Sequence, residues 1–148
     1  MHIRRASPDD VELLFDIRTS VRENHQSREE LATIRVTPES VAEMLRGTWR
    51  GWVAEVDGEA VGFSIADAAE GTVFAMFVRP GREGLGAGRA LMREAEDWLF
   101  SQGWDRIWLL TGSDPALRAN GFYRHLGWTE AGWGSDGQVR FVKARPAT

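Results

Sequence analysis

The chain contains no cysteine. That excludes disulfides, thiolate catalysis and cysteine-ligated zinc. No apolar stretch reaches the length of a membrane span. Met1-His2-Ile3-Arg4-Arg5 lacks the apolar core of a signal peptide, so a cytoplasmic location is the expectation. An excess of positive charge is also missing. Lys and Arg total 18 against 22 Asp and Glu, a net charge of −4. Nucleic-acid binding needs a concentrated basic face, and none is evident. There is no repeat, low-complexity stretch or internal linker. The 148 residues, 43% hydrophobic and 27% charged, fit one globular domain spanning 1–148. Tyrosine occurs once, as Tyr123, whereas tryptophan occurs seven times. Most of those indoles are expected in core or interface packing.

What is present divides into helical and β patterns. Ile3 and its neighbours alternate and predict a short first strand. Ser7-Pro8-Asp9-Asp10 supplies an N-cap, a proline at the first helical position and acids in the first turn. Val11, Leu14, Phe15, Arg18, Val21 and Arg22 follow at helical spacing, with Arg18 and Arg22 at the edge of the stripe, where an exposed face is expected. Residues 24–35 read as a loop with scope for helical turns. Thr37-Pro38-Glu39 starts another helix, with Val41, Met44 and Leu45 on its apolar face and Gly47 as its stop.

Trp52-Val53-Ala54-Glu55-Val56 alternates, Asp57-Gly58 follows, and a second run covers 59–66. Asp-Gly between alternating runs predicts a tight hairpin. Glu70-Gly71 makes another turn. Residues 72–78 are β-rich and apolar on both faces, which predicts a central strand. A helix over 87–102 places Leu91, Ala95, Trp98 and Leu99 on one face, with Arg93, Glu94, Glu96 and Asp97 opposite. Gly103 ends it, and 106–111 is a further strand. The helical crossover makes this strand parallel to 72–78. Gly112-Ser113-Asp114-Pro115 caps a last helix carrying Leu117, Phe122 and Leu126, and a hairpin closing at Ser135-Asp136-Gly137 ends the pattern. The fold class is therefore α/β with a mixed sheet: mostly antiparallel, one parallel junction, helices on its flanks.

The stretch between 78 and 89 carries the chemistry. A strand ending Val78-Arg79-Pro80 feeds Gly81-Arg82-Glu83-Gly84-Leu85-Gly86-Ala87-Gly88-Arg89, which opens a helix. Backbone N–H groups without helical partners collect at such a start, and the helix dipole favours an anion there. The turn lacks the Gly-Lys-Ser/Thr of a P-loop, hence a lysine for a β/γ-phosphate and a hydroxyl for magnesium. It also lacks the spacing of a dinucleotide fold. A connector with no ligand is the plain alternative.

Two motifs together resemble the GNAT superfamily of acetyl-CoA-dependent N-acetyltransferases. Glu83-Gly84-Leu85-Gly86-Ala87-Gly88, anchored on Val78-x-Pro80, is similar to the family's Gln/Arg-x-x-Gly-x-Gly/Ala pyrophosphate motif. Ala119-Asn120-Gly121-Phe122-Tyr123-Arg124-His125-Leu126-Gly127-Trp128 is similar to its Ala-x-x-Phe-Tyr-x-x-x-Gly-Phe segment. The chain departs at Glu83, where the family has Gln or Arg, and at Ala116, where it often has Asn. The resemblance implies a GNAT-like fold with acetyl-CoA as co-substrate. A primary amine, of a small molecule or a peptide, attacks directly in a ternary complex. Phe77 and Val78 would meet the cofactor, a backbone N–H of 74–78 would polarise the thioester, and Glu83, Gly84, Leu85, Gly86, Ala87, Gly88 and Arg89 would hold the pyrophosphate. Arg79, Arg82 and Arg89 would offset the charge of Glu83. Tyr123 would protonate the departing thiolate. Comparable folds commonly dimerise, which leaves a homodimer open. No nucleic-acid or membrane partner is implied.

The general base has several candidates: Glu23, His25, Glu55, Asp67 or a water chain. Each of the four side chains is more readily read as a solvated or ion-paired surface residue. His125, two positions from Tyr123, should face elsewhere. Arg18, Arg22 and Arg35 are candidates for attracting an acidic acceptor, and Trp49, Trp52 and Trp133 for lining its pocket, with packing as the alternative. The acceptor itself is set by 21–50 and the closing hairpin, which carry no motif. A non-catalytic acyl-CoA-binding or regulatory module of the same fold is the second reading.

Overall fold

A computed structural model describes residues 1–21, 26–111, 118–134 and 137–147, with the backbone alone at 118–120. The strands are β1 (His2–Ala6), β2 (Trp49–Val56), β3 (Glu59–Asp67), β4 (Thr72–Val78), β5 (Arg106–Thr111), β6 (Thr129–Trp133) and β7 (Val139–Ala144). The helices are α1 (Val11–Ser20), α2 (Arg28–Thr33), α3 (Pro38–Arg46), α4 (Ala87–Ser101) and α5 (Arg118–His125). The seven strands form one sheet in the order β1-β2-β3-β4-β5-β7-β6. Every neighbouring pair is antiparallel except β4 and β5. No described helix is long and apolar enough to cross a membrane.

Local chemistry sets the helix starts. Ser7 accepts from the Asp9 N–H at 3.2 Å, and Asp10 accepts from the Ser7 N–H at 2.7 Å while binding Arg4 through both oxygens. This is a capping box with an ion pair attached. Arg4, as hydrogen-bond donor, holds the Asp10 carboxyl below its ordinary value. Ser27 and Thr37 cap α2 and α3 in the same reciprocal way. The Ser27–Glu30 box gives 28–33 a true helix inside the stretch expected as loop. The Asp57-Gly58 hairpin takes left-handed φ at both residues, +52° and +80°.

The sheet separates two cores. On one face α4 buries Leu91, Met92, Ala95 and Leu99 completely, against Val61, Ile107 and Phe141. Leu91, Met92 and Leu99 each contribute about 1.5–3 kcal/mol of burial. On the other face α1 and α3 bring Leu14, Phe15, Ile17, Val41 and Leu45 onto Val53, Phe63 and Ile65. Glu96 corrects the amphipathic reading of α4. It lies on the buried side, not opposite, and accepts from the Trp128 indole at 2.9 Å and the Lys143 ammonium at 2.7 Å. A buried carboxylate needs such partners, and they come from residues more than 30 positions away. Arg18 is likewise buried, not on an exposed face.

Six of the seven tryptophans pack. Trp49 stacks on Phe74 and Trp52 meets Trp98 edge-on. Trp104 and Trp108 donate to the carbonyls of Ala68 and Glu70, fixing the turn before β4. Trp128 is buried, and Trp133, 70% exposed on edge strand β6, is the exception.

Candidate active site

The glycine turn is built as a cradle. Gly81, Gly84 and Gly86 all have φ between +82° and +84°, the left-handed region that a Cβ penalises. A Cβ on Gly81 or Gly84 would meet nothing within 4 Å, so the glycines answer to backbone conformation, not crowding. Gly86 is the N-cap of α4 and accepts from the Ala90 N–H at 3.1 Å. The N–H groups of Ala87, Gly88 and Arg89 therefore precede the helical ladder, and the first turn carries no acid. The Glu83 carboxylate accepts from the Gly81 N–H at 2.8 Å, which ties the turn to itself. Of the three arginines expected to balance Glu83, Arg82 is paired with Glu59 and Arg79 donates through Nε to the Ala60 carbonyl. Arg89 is exposed on the first turn of α4, with no ion-pair partner among the described residues.

Beside this cradle the sheet opens. β4 and β5 share one register pair, Thr72 with Trp108, reinforced by the Thr72 hydroxyl on the Trp108 carbonyl at 2.7 Å. On its other edge β4 pairs with β3 along its length, with Phe74 unmatched between Ala75 and Val73. The Arg79 N–H bonds the Val61 carbonyl at 2.7 Å. Alternation from that pair gives Phe77 and Ala75 the bonds to β3 and turns the backbone groups of Met76 and Val78 toward the gap. The N–H groups available for a thioester oxygen thus belong to Met76 and Val78. The backbone of Phe77 is engaged with β3.

The gap is the floor of a cleft of about 1030 Å³ that runs through the sheet. Of the expected cofactor residues, Phe77, Val78, Glu83, Gly84, Gly86, Ala87, Gly88 and Arg89 line it. Leu85 does not; it is exposed on the outside of the turn. Tyr123 lines the same cleft from α5, and its neighbour Phe122 lies against Gly88, where a Cβ would come within 3.3 Å of the ring. Burial pushes the Tyr123 phenol up to about 12. The two sequence motifs therefore meet at one wall, through Gly88 and Phe122.

The far end of the cleft lies on the α1–α3 side, among Leu14, Phe15, Leu31, Val36, Phe63 and Ile65. Arg18 enters it with its guanidinium 4.2 Å from the centre of the Phe77 ring. Two base candidates lie elsewhere: Glu55 pairs with Arg4, and Asp67 accepts from the Thr48 hydroxyl and the Ala69 N–H. Neither lines the cleft. Glu23, His25, Arg22 and Ala116 lie outside the described residues. His125 and Arg35 are exposed and away from the cleft; Trp49 is half-buried, Trp52 buried and Trp133 exposed, and none of the three lines the cleft. Among the described lining residues Glu83 is the one carboxylate. Arg18 is the residue whose place the periodicity misjudged; an arginine in phase with Leu14 and Phe15 was the available signal.

A sequence profile for the acetyltransferase (GNAT) family matches residues 13–128. The chain belongs to that family. The glycine cradle with the open strand edge suits a CoA thioester, the co-substrate that the two motifs imply. PaiA N-acetyltransferase of Thermoplasma acidophilum, solved in complex with coenzyme A, superposes with a TM-score of 0.78 at 15% identity, over 98% of this chain and all of that one. Ribosomal-protein-alanine N-acetyltransferase of Brucella melitensis gives 0.75 at 18% identity, with the same coverage. Both share the GNAT fold with this chain. Mycothiol acetyltransferase of Beutenbergia cavernae is 36% identical over 83 residues, 53% of this chain; the match spans 28% of that relative's length.

Proposed function

We propose that residues 1–148 form one acetyl-CoA-dependent N-acetyltransferase domain acting on a primary amine by direct attack in a ternary complex. The observation that carries this is the continuity of the cleft. It joins an anion cradle, an unpaired strand edge and a largely apolar end in one line. Residues 83–89 would hold the diphosphate through the N–H groups of Ala87, Gly88 and Arg89. The pantetheine would lie along β4, and the Met76 or Val78 N–H would polarise the thioester carbonyl, a contact that strengthens as charge develops on oxygen. The neutral amine forms the C–N bond as the C–S bond breaks, and holding both reactants in one cleft supplies much of the rate. The amine loses a proton to water, and the thiolate gains one. Tyr123, kept protonated by burial, is the donor on the thiolate side.

Following free thiol from acetyl-CoA across a panel of amines tests the proposal. Turnover of at least one amine supports it. A non-catalytic acyl-CoA-binding module is favoured by one observation: no carboxylate or histidine stands at the acceptor end among the described lining residues. That reading prevails if coenzyme A raises the melting temperature while no amine releases thiol. A homodimer gains support from Trp133 on the exposed edge strand, and sedimentation of the protein against a Trp133→Ser variant would test it.

A further inference from the structure

Arg18 is out of keeping with its surroundings. It is over nine-tenths buried, and its neighbours in the cleft wall are Leu14, Phe15, Leu31, Phe63 and Phe77. Nη2 donates to the Gln26 side chain at 3.0 Å, whereas Nη1 is buried with no hydrogen-bond partner among the described residues. Among the described residues Glu30 acts on it electrostatically, and the Oε1 of Glu30 also accepts from the Ser27 N–H. A buried guanidinium with an unmet N–H costs free energy, so its retention needs a reason. Stacking on Phe77 accounts for its orientation but supplies no acceptor for Nη1.

Position supplies the reason. Phe77 lies between Met76 and Val78, whose backbone groups face the reacting thioester in the function proposed above, on which this inference rests. Arg18 therefore stands beside the reaction centre on the acceptor side. It is the one charged side chain among the described residues lining that side. A planar fork of N–H donors matches a carboxylate in a bidentate pair. Apart from Gln26, the described residues around it on that side are apolar. We propose that Arg18 docks a carboxylate of the acceptor, and that the acceptor is an amine with an apolar body bearing that carboxylate, in the manner of an apolar amino acid.

Calorimetry with coenzyme A present tests the docking point separately from catalysis. The probes are 3-phenylpropanoate and its neutral analogue 3-phenylpropanamide. The carboxylate is expected to bind at least tenfold tighter to the wild type. Arg18→Met should erase that preference while leaving coenzyme A affinity unchanged, which also shows that the variant is folded. Arg18→Lys, the milder change, should keep part of the preference because charge remains and the fork is lost. Equal binding of the two probes to the wild type, or a preference that survives Arg18→Met, overturns the proposal. Thiol release from acetyl-CoA with L-phenylalanine and with 2-phenylethylamine is read in parallel. The transferase reading itself is decided by the wider amine panel, while the carboxylate site stands or falls on the calorimetry.

Discussion

Tyr123 illustrates how one side chain ties function to stability. With a folded pKa of about 12, the phenol stays protonated through the pH range of an enzyme assay. Tyr123→Phe should lower kcat by about 100-fold, as loss of a general acid does, with acetyl-CoA affinity unchanged. A second signature appears at high pH. The folded pKa lies above the unfolded value near 10, so the native state binds more protons than the unfolded chain between those values. Stability from this group is complete below pH 10 and falls by about 2–3 kcal/mol as pH rises to 12. Alkaline unfolding curves of Tyr123→Phe should lack that part of the decline. Glu83 has two roles to separate. Glu83→Gln keeps an acceptor for the Gly81 N–H and removes a negative charge beside the cradle. Acetyl-CoA should bind about two- to fivefold tighter, the scale of one exposed charge interaction. An unchanged dissociation constant would mean that only the backbone of residue 83 matters.

At the scale of elements, the start of α4 and the group around Glu96 set the largest costs. Gly86→Ala places a Cβ at φ +84°, which costs about 1–2 kcal/mol, and should weaken acetyl-CoA binding together with thermal stability. Lys143→Ala leaves Glu96 with the Trp128 indole alone in a buried setting. Loss of one partner of a buried pair costs about 3–5 kcal/mol, reduced somewhat here because Lys143 is about a fifth exposed. Chemical denaturation reads the value directly. The same two elements show where sequence reading reaches and where it stops. The Asp57-Gly58 hairpin, the proline-led helix starts and the glycine cradle rest on local backbone chemistry, and each lies where its residues imply. Glu96 and Arg18 are settled by partners distant in sequence: Lys143 and Trp128 for one, Phe77 and Gln26 for the other. Periodicity assigns a charged residue to water unless such a partner is known. Leu85, expected at the cofactor, points outward because left-handed glycines on both sides turn the backbone there.

At the scale of the whole molecule, the sheet is two antiparallel groups, β1–β4 and β7–β6 with β5, meeting at one parallel pair. The order of elements made that junction legible. The opening beyond Thr72 and Trp108 was not, because no residue type marks where a ladder stops. A ligand along the gap contacts both groups and should stabilise the fold as a unit. Coenzyme A at a hundred times its dissociation constant should add about 2.7 kcal/mol, a rise of a few degrees in Tm for a chain of this size. A smaller rise would mean that coenzyme A also binds the unfolded chain.

The bulge at Phe74 and the lone Thr72–Trp108 pair carry one more consequence. Amide hydrogens in the centre of a sheet are ordinarily its slowest to exchange with solvent. Here the N–H groups of Met76 and Val78, in the fourth of seven strands, face an open gap, while those of Ala75 and Phe77 beside them are held by β3. Deuterium should therefore enter β4 in a two-residue rhythm, fast and slow in alternation, in the middle of the molecule instead of at its margin. Coenzyme A should slow the fast half and leave the rest as it was.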